Sequence, residues 1–161
     1  MRINEVILKI KQDSFWQVAT IACFALGIAY LSELIANLRP CILCIYQRIP
    51  YFLLLVMAFA AILRPSLRKS FRFLIVFTFI IEIILASYHT GIEHYIFDDH
   101  HICQTNNQIG NMLSSTILVS SCSQVAFKFM NFSMAEWNLF YAIASLSYFI
   151  YRERKNGFFT W

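Results

Sequence analysis

Long uncharged apolar segments constrain this chain more than any other feature. Ser14 to Ser32 carries no charged residue over 19 positions, close to the roughly 20 residues that a membrane-spanning helix needs. A signal peptide fits less well, because the apolar core is long and no small-x-small cleavage site ends it. Only 14% of the 161 residues are charged, against about a quarter in soluble domains. The pattern predicts an all-α integral membrane protein, a single domain over residues 1–161 with four transmembrane helices at approximately 14–33, 44–63, 72–89 and 134–151, joined on one side by loops 34–43 and 90–133.

The basic residues predict how these helices are oriented. Residues 1–14, 64–72 and 152–161 lie on one side of a four-span protein and carry ten of the 13 Lys and Arg residues. Because such residues accumulate on the cytoplasmic side, both termini are predicted to be cytoplasmic. The two loops then face outward, which in a bacterium is the oxidising periplasm.

A Cys-x-x-Cys pair, Cys41 and Cys44, opens the second apolar segment. Such a pair can close a small disulfide ring or hold one side of a metal site, and it can also be two small buried hydrophobes. The apolar run that follows puts Cys44 in the first turn of a helix, where free backbone N–H groups favour a thiolate. Arg48 lies four residues on and is expected on the same face, within a few Å of the Cys44 sulfur.

The Arg48 side chain is predicted to lie in the outer interface of the membrane. Only 15 uncharged residues separate Arg48 from Arg64, about 22 Å of helix. A bilayer core is about 30 Å thick, so the arginine cannot be clear of it.

The polar stretch from Thr90 to Phe132 is too long to be an ordinary connection and is expected to be functional. It contains Cys103 and Cys122, which are expected away from the helical bundle. Apolar residues from Ile109 to Ile117 recur at helical spacing and predict either a short interfacial helix or a plain loop. An alternative function is metal binding by a crowded group that comprises Asp98, Asp99, His100, His101 and Cys103.

Three further residues or motifs attract interpretations of their own. Glu82 lies inside the third apolar segment, where a carboxylate is functional, or protonated, or hydrogen-bonded to Thr78 or to another helix. Glu82 shares a helix face with Ala86 and His89. Ser133 to Glu136 fits a capping box that opens the last helix. Cys23, in the middle of the first segment, is interpreted as a packing residue.

The order of these motifs resembles the disulfide bond formation protein B family, DsbB. The resemblance covers most of the chain. It is carried by Pro40-Cys41-Ile42-Leu43-Cys44-Ile45-Tyr46-Gln47-Arg48, by Tyr88-His89-Thr90-Gly91-Ile92-Glu93, and by Cys122 followed by Phe129 and Ser133-Met134-Ala135-Glu136-Trp137.

The resemblance implies a four-helix inner-membrane enzyme that reoxidises a periplasmic DsbA-like thioredoxin-fold protein and reduces a membrane quinone, ubiquinone or menaquinone, to sustain disulfide bond formation. It implies a quinone-linked disulfide between Cys41 and Cys44, with Cys44 in contact with the quinone ring. It implies a second redox pair, Cys103 and Cys122, in which Cys103 forms the mixed disulfide with the partner. The other implied quinone-site residues are Gln47, Arg48, His89 and Met134, with Glu82 as a possible addition and no metal.

The chain departs from the family pattern at positions that leave the four cysteines untouched. Some members have Glu where this chain has Gln47, and the loop between Cys103 and Cys122 is short. A vitamin K epoxide reductase-like protein is a second interpretation, but its Cys-x-x-Cys pair usually lies late in the bundle. The remaining departures are Phe127 for Trp, Asn131 for Gly and Ala135 for Pro.

Overall fold

The computed structural model describes residues 14–37, 40–98, 122 and 127–156. This part of the chain is helical apart from one short hairpin. In chain order the elements are α1 (Ser14–Ala36), α2 (Ile42–Tyr46), α3 (Arg48–Leu63), a 3-10 turn (Pro65–Leu67), α4 (Arg68–Glu93), β1 (Lys128–Phe129), β2 (Phe132–Ser133) and α5 (Met134–Lys155).

Three helical segments among the described residues are long and apolar enough to cross a membrane: Ser14–Ala36, Ile42–Leu63 and Pro65–Glu93. α5 has 22 residues, about 33 Å of helix, but charged residues in its last turns make it less apolar. It packs against α4 and α1 and so belongs to the same bundle. That α5 also crosses the membrane stays a prediction.

The bundle core forms where one face of α1 meets α3 and α4. Buried residues recur along α1 at helical spacing, from Phe15 through Val18 and Ala22 to Leu26. They pack in one cluster with small and large side chains of the neighbouring helices, which include Leu54, Ala58, Ala61, Ile75 and Phe79. The alanines let the helix backbones approach closely, as is usual in membranes.

Cys23 does not pack in this core. Its side chain is exposed on the outside of the bundle, because it follows Ala22 by one position and so points away from the buried face. The interpretation of Cys23 as a packing residue is therefore wrong, and in a membrane this thiol faces lipid.

The helices run further than the charge-free segments predict. α1 continues to Ala36, so residues 34–36 lie on the helix and not in the predicted loop. α4 begins at Arg68 and continues to Glu93, although the predicted span was 72–89. The end of a charge-free segment marks the edge of the hydrocarbon layer. A helix can continue beyond that edge into the interface as long as its backbone is hydrogen-bonded.

A break in the second segment separates α2 from α3 at Gln47. Pro50 has no N–H to donate to the carbonyl four residues earlier, at Tyr46, so the helix cannot run through without a fault. Cys44 and Arg48 therefore lie on either side of this break.

An ion pair joins α4 and α5 at the end of the bundle remote from Cys41. Arg72 Nε lies 2.6 Å from Glu153 Oε2, and the Glu153 side chain is 1% exposed. The guanidinium groups of Arg68 and Arg72 also lie over the Phe15 ring, 5.5 and 5.6 Å from its centre. This end of the bundle thus depends on a carboxylate that is buried against cations.

We expect Glu153→Gln to destabilise the protein by about 3 kcal/mol, because it removes the charged partner of a largely buried pair. The midpoint of thermal unfolding in detergent measures the loss. Arg154→Gln, an exposed neighbour on the same turn, is the matched control and should change the midpoint little. Equal midpoints for the two variants would contradict a stabilising role for the pair.

Candidate functional site

The Cys41 and Cys44 side chains meet at the start of α2. Cys41 is the N-cap residue, and its Sγ accepts a hydrogen bond from the Cys44 N–H at 3.2 Å. The two Sγ atoms are 2.8 Å apart, and both cysteines are free thiols. The cap thus brings the two sulfurs together, with Cys44 in the first turn as predicted.

His89 from α4 completes this cluster from the opposite side. Its ring is buried, with Nε2 3.5 Å from Cys41 Sγ and Nδ1 3.1 Å from Gln47 Oε1. A carbonyl oxygen only accepts hydrogen bonds, so Nδ1 carries the proton. Nε2 is therefore left to accept a proton from the Cys41 thiol.

The ligand atoms of Cys41, Cys44 and His89 lie within 4.8 Å of one another, a group that could hold a metal ion. The two sulfurs, 2.8 Å apart, are also close enough to close into a disulfide with little movement. Of the acidic and histidine-rich group proposed as an alternative metal site, only Asp98 lies within the described residues.

Arg48 is held by α1. Its Nη2 forms an ion pair with Glu33, and its guanidinium lies over the Tyr30 ring, 4.8 Å from the centre. Arg48 still acts electrostatically on Cys44. The Arg48 side chain is thus held by contacts with α1 and not only by its interaction with Cys44.

A cavity of about 480 Å³ lies between these groups. Its walls are mostly apolar and come from α1, α3, α4, the hairpin and α5. Within the described part of the chain, Gln47 Nε2 and Arg48 Nε are buried donors without a hydrogen-bond partner. Residues that line the cavity include Phe24, Cys41, Cys44, Gln47, Arg48, Tyr51, His89, Glu93, Met134, Asn138 and Tyr141.

Comparison with known proteins decides the family. The model of the family described as "Disulfide bond formation protein DsbB" matches residues 11–151. The chain belongs to the DsbB family. An uncharacterized protein of Rickettsia prowazekii (strain Madrid E) is 32% identical over 158 residues, which cover 91% of this chain and 92% of that relative. Membership makes this protein a membrane oxidoreductase of disulfide bond formation.

The structure brings together the five residues for which the DsbB resemblance implied a place at the quinone. Cys44, Gln47, Arg48, His89 and Met134 line the same cavity, together with Cys41. The resemblance implied their roles one at a time, and the fold adds that they are neighbours.

Glu82 does not line the cavity but is connected to it. Its side chain is fully buried, and its Oε1 accepts a hydrogen bond of 2.7 Å from Asn138 Nδ2. Tyr51 donates to Asn138 Oδ1 at 2.8 Å. The Thr78 hydroxyl donates to the Leu74 carbonyl instead, so of the two predicted partners, Thr78 or another helix, the second is correct.

Cys122 lies against the cysteine pair. It is 1% exposed and packs in one cluster with Cys41, Leu43 and Ile92. It is also disulfide-bonded. The expectation that Cys122 lies away from the bundle is therefore wrong. Cys103 and the predicted interfacial helix at 109–117 lie outside the described residues.

The hairpin before α5 closes one side of the cavity. Met130 and Asn131 form its two-residue turn with φ values of 52° and 67°. A type I′ turn needs positive φ at both positions, and Asn tolerates this better than other non-glycine residues. Asn131 thus takes the place of a family glycine without loss of the turn, and Phe127 and Phe129 can line the cavity.

The predicted capping box of α5 is present: Ser133 caps the helix and Glu136 bonds back to the Ser133 N–H at 2.6 Å. Ala135, where others have Pro, lies in the first turn, a place where a helix also accepts proline.

Sequence reasoning missed several polar residues of the site. Glu33 attracted no interpretation, although an acid at the end of one apolar segment and an arginine at the start of the next could have indicated a pair. Tyr51 and Asn138 gave no local signal, because each lies inside an apolar segment and meets its partner only in the folded bundle. Glu93 was quoted only as part of a motif.

We expect Cys44 to be alkylated at least about tenfold faster than Cys41 in the reduced protein, because the thiolate is the reactive form. A hydrogen bond with Cys44 and burial raise the pKa of the Cys41 thiol, and Cys41 is only 4% exposed. Limited reaction with N-ethylmaleimide followed by mass spectrometry gives the order. The Cys23→Ser background removes the lipid-facing thiol. Preferential labelling of Cys41 would contradict this assignment.

Proposed function

We propose that this protein is a quinone-dependent thiol oxidase of the bacterial inner membrane. It takes two electrons from a DsbA-like periplasmic thioredoxin-fold protein and passes them to ubiquinone or menaquinone. The observation that carries the proposal is the position of disulfide-bonded Cys122 beside Cys41, which itself borders the cavity. A series of sulfur atoms, from Cys122 through Cys41 to Cys44, thus leads to a pocket large enough for a quinone ring.

The outer half of the relay is disulfide exchange between Cys103–Cys122 and the partner. A thiolate of the reduced partner attacks Cys103, which forms the mixed disulfide and releases Cys122 as a thiolate. Cys122 then attacks Cys41 of the oxidised inner pair, and Cys44 leaves as a thiolate. The partner's second thiolate displaces Cys103 and completes the partner's disulfide, and Cys103 attacks Cys122 and releases the Cys41 thiolate. Cys41 and Cys44 re-form their disulfide when two electrons pass to the quinone. The burial of Cys122 against Cys41 supports this order, because attack requires the two sulfurs to meet.

The cavity fits a quinone. Its apolar walls suit a ring with a lipid tail, and the two buried donors, Gln47 Nε2 and Arg48 Nε, are free to bind a carbonyl oxygen. A buried donor without a partner costs about 1–3 kcal/mol, and a bound carbonyl would remove that cost. A quinone supplies the two-electron acceptor that the protein lacks.

Each residue around the cavity then has a defined role. Arg48, fixed by Glu33, holds a positive charge near the Cys44 thiolate and the carbonyl oxygen. Gln47 orients the His89 ring and donates from its amide. His89 Nε2 lies against the Cys41 sulfur and holds its position, and Met134 contributes to the apolar wall.

The same proposal includes the four-span topology. With α5 as the fourth span, both termini are cytoplasmic and the cysteine-bearing segments 34–43 and 90–133 are periplasmic, in one domain over residues 1–161. The distribution of lysine and arginine supports this orientation.

Quinone reduction by the purified protein with a reduced thioredoxin-fold donor tests the function. We expect Cys103→Ser to abolish donor-driven turnover, while added quinone still oxidises the Cys41–Cys44 pair. Thiol trapping with a mass label reads both pairs. Cys23→Ser, the same change at a lipid-facing position, should keep full turnover. Normal turnover in Cys103→Ser would refute the relay, and no quinone reduction by the wild type would refute the function.

Arg48→Lys should raise the KM for quinone about tenfold and Arg48→Ala up to about 100-fold, because a hydrogen bond to a charged group contributes about 1.5–3 kcal/mol. Lysine retains the charge but loses the fixed donor geometry of the guanidinium. Steady-state turnover at varied quinone concentration gives the KM. A wild-type KM in Arg48→Ala would show that Arg48 only anchors the helix at the interface.

A further inference from the structure

A line of polar side chains leads from the cavity to the protein surface, and the electron relay does not use it. Glu93 Oε1 lies 3.9 Å from His89 Nε2. The Ser133 hydroxyl donates to Glu93 Oε2 and also contacts the Glu136 carboxylate. Glu136 Oε1 lies 2.9 Å from His94 Nε2. Five side chains from two helices and their caps thus form one connected series.

Exposure increases along the outer part of this series. The side chains of His89 and Glu93 are 3% and 7% exposed. The Glu136 side chain is 18% and the His94 side chain 57% exposed. One end of the series is therefore in the cavity, which Glu93 lines, and the other end is in water.

Helix capping explains only part of this arrangement. The capping box needs Ser133 and Glu136, which satisfy each other's backbone N–H groups. It does not need Glu93, whose carboxylate is nearly buried at the end of α4. A buried carboxylate is costly, and such groups commonly serve a function within membranes. The charges that act on Glu93 are those of His94 on its own helix, Lys128 of the hairpin and Glu136 of α5, and Glu93 in turn acts on Cys44.

We propose that Glu93, Ser133, Glu136 and His94 conduct protons between external water and the cavity. This proposal rests on the proposed function, and the proton balance motivates it. The partner's two thiols lose their protons to water outside the bundle as the partner becomes a disulfide. Cys44 receives electrons as a thiolate, without a proton. Reduction of a quinone to a quinol takes up two electrons and two protons, so both protons must enter the cavity separately.

The path supplies those protons in defined steps. His94 takes a proton from water and passes it to Glu136. The Ser133 hydroxyl gives its own proton to Glu93 and takes one from Glu136. Glu93 then delivers a proton to His89 or directly to the oxygen of a bound quinone. Both transfers are within reach because Glu93 and His89 line the same cavity. The competing route is from deeper in the bundle, through Glu82, Asn138 and Tyr51.

Turnover with a soluble quinone and a reduced donor is the first test. Glu93→Gln keeps the size of the side chain but cannot carry a proton, so kcat should fall about tenfold or more with little change in quinone KM. Glu136→Gln preserves the capping box and should also lower kcat, and Glu93→Asp should restore part of the rate. Asp98→Asn, an exposed carboxylate-to-amide change beyond the end of α4, is the matched control and should keep the wild-type rate.

A second measurement needs no quinone. After a rapid pH jump, the ultraviolet absorbance of the thiolate follows proton loss from the reduced Cys41–Cys44 pair. We expect Glu93→Gln and Glu136→Gln to slow this equilibration by a similar factor, about tenfold, and Asp98→Asn to leave it unchanged. A purely structural role for Glu93 would alter unfolding but not this rate.

The outcomes separate the two proposals. Wild-type rates in both tests for Glu93→Gln would overturn the proton path and leave the quinone reductase function intact. A reduced rate in Glu82→Gln together with the wild-type rate in Glu93→Gln would overturn the proton path and favour the route through Glu82, Asn138 and Tyr51. A wild-type protein that reduces no quinone would refute the proposed function and the path with it.

Discussion

The Cys41 sulfur makes the contacts on which the rest of the site depends. As an N-cap it accepts the Cys44 N–H, and this bond sets the distance between the two sulfurs. The same atom meets His89 Nε2 from α4, while the cysteine itself packs against Cys122. A helix cap is ordinarily a serine, threonine, aspartate or asparagine oxygen. Here a cysteine sulfur takes that place, so in the proposed relay the group that starts the helix is also a group that exchanges electrons.

Local patterns were sufficient to predict much of the architecture. Charge-free segments located α1, α3 and α4, and the order Ser133-Met134-Ala135-Glu136 predicted the start of α5. The pair at Cys41 and Cys44 was correctly placed at the start of a helix. These features depend on residues within a few positions of one another, and such patterns can be recognised in a single sequence.

Pairings between distant residues could not be predicted in the same way. Arg48 and Glu33, or Glu93 and Ser133, meet only when separate helices pack. The outward orientation of the Cys23 side chain was not predicted, for a different reason. Lipid and protein core are equally apolar, so hydrophobicity does not show which side of α1 is buried. The small residues along that side, such as Ala22, carry the only local signal.

The site groups all lie at one end of the bundle, from Cys41 through His89 to the exposed ring of His94. In the proposed mechanism, electrons and protons therefore enter and leave through the same face. Moving one charge across a membrane changes its energy by about 2.3 kcal/mol per 100 mV, but in this mechanism no net charge makes that crossing. The proposed reaction is electrically silent, so the membrane voltage would neither drive nor oppose it. A cell that has lost its membrane potential would keep this step running as long as oxidised quinone remains.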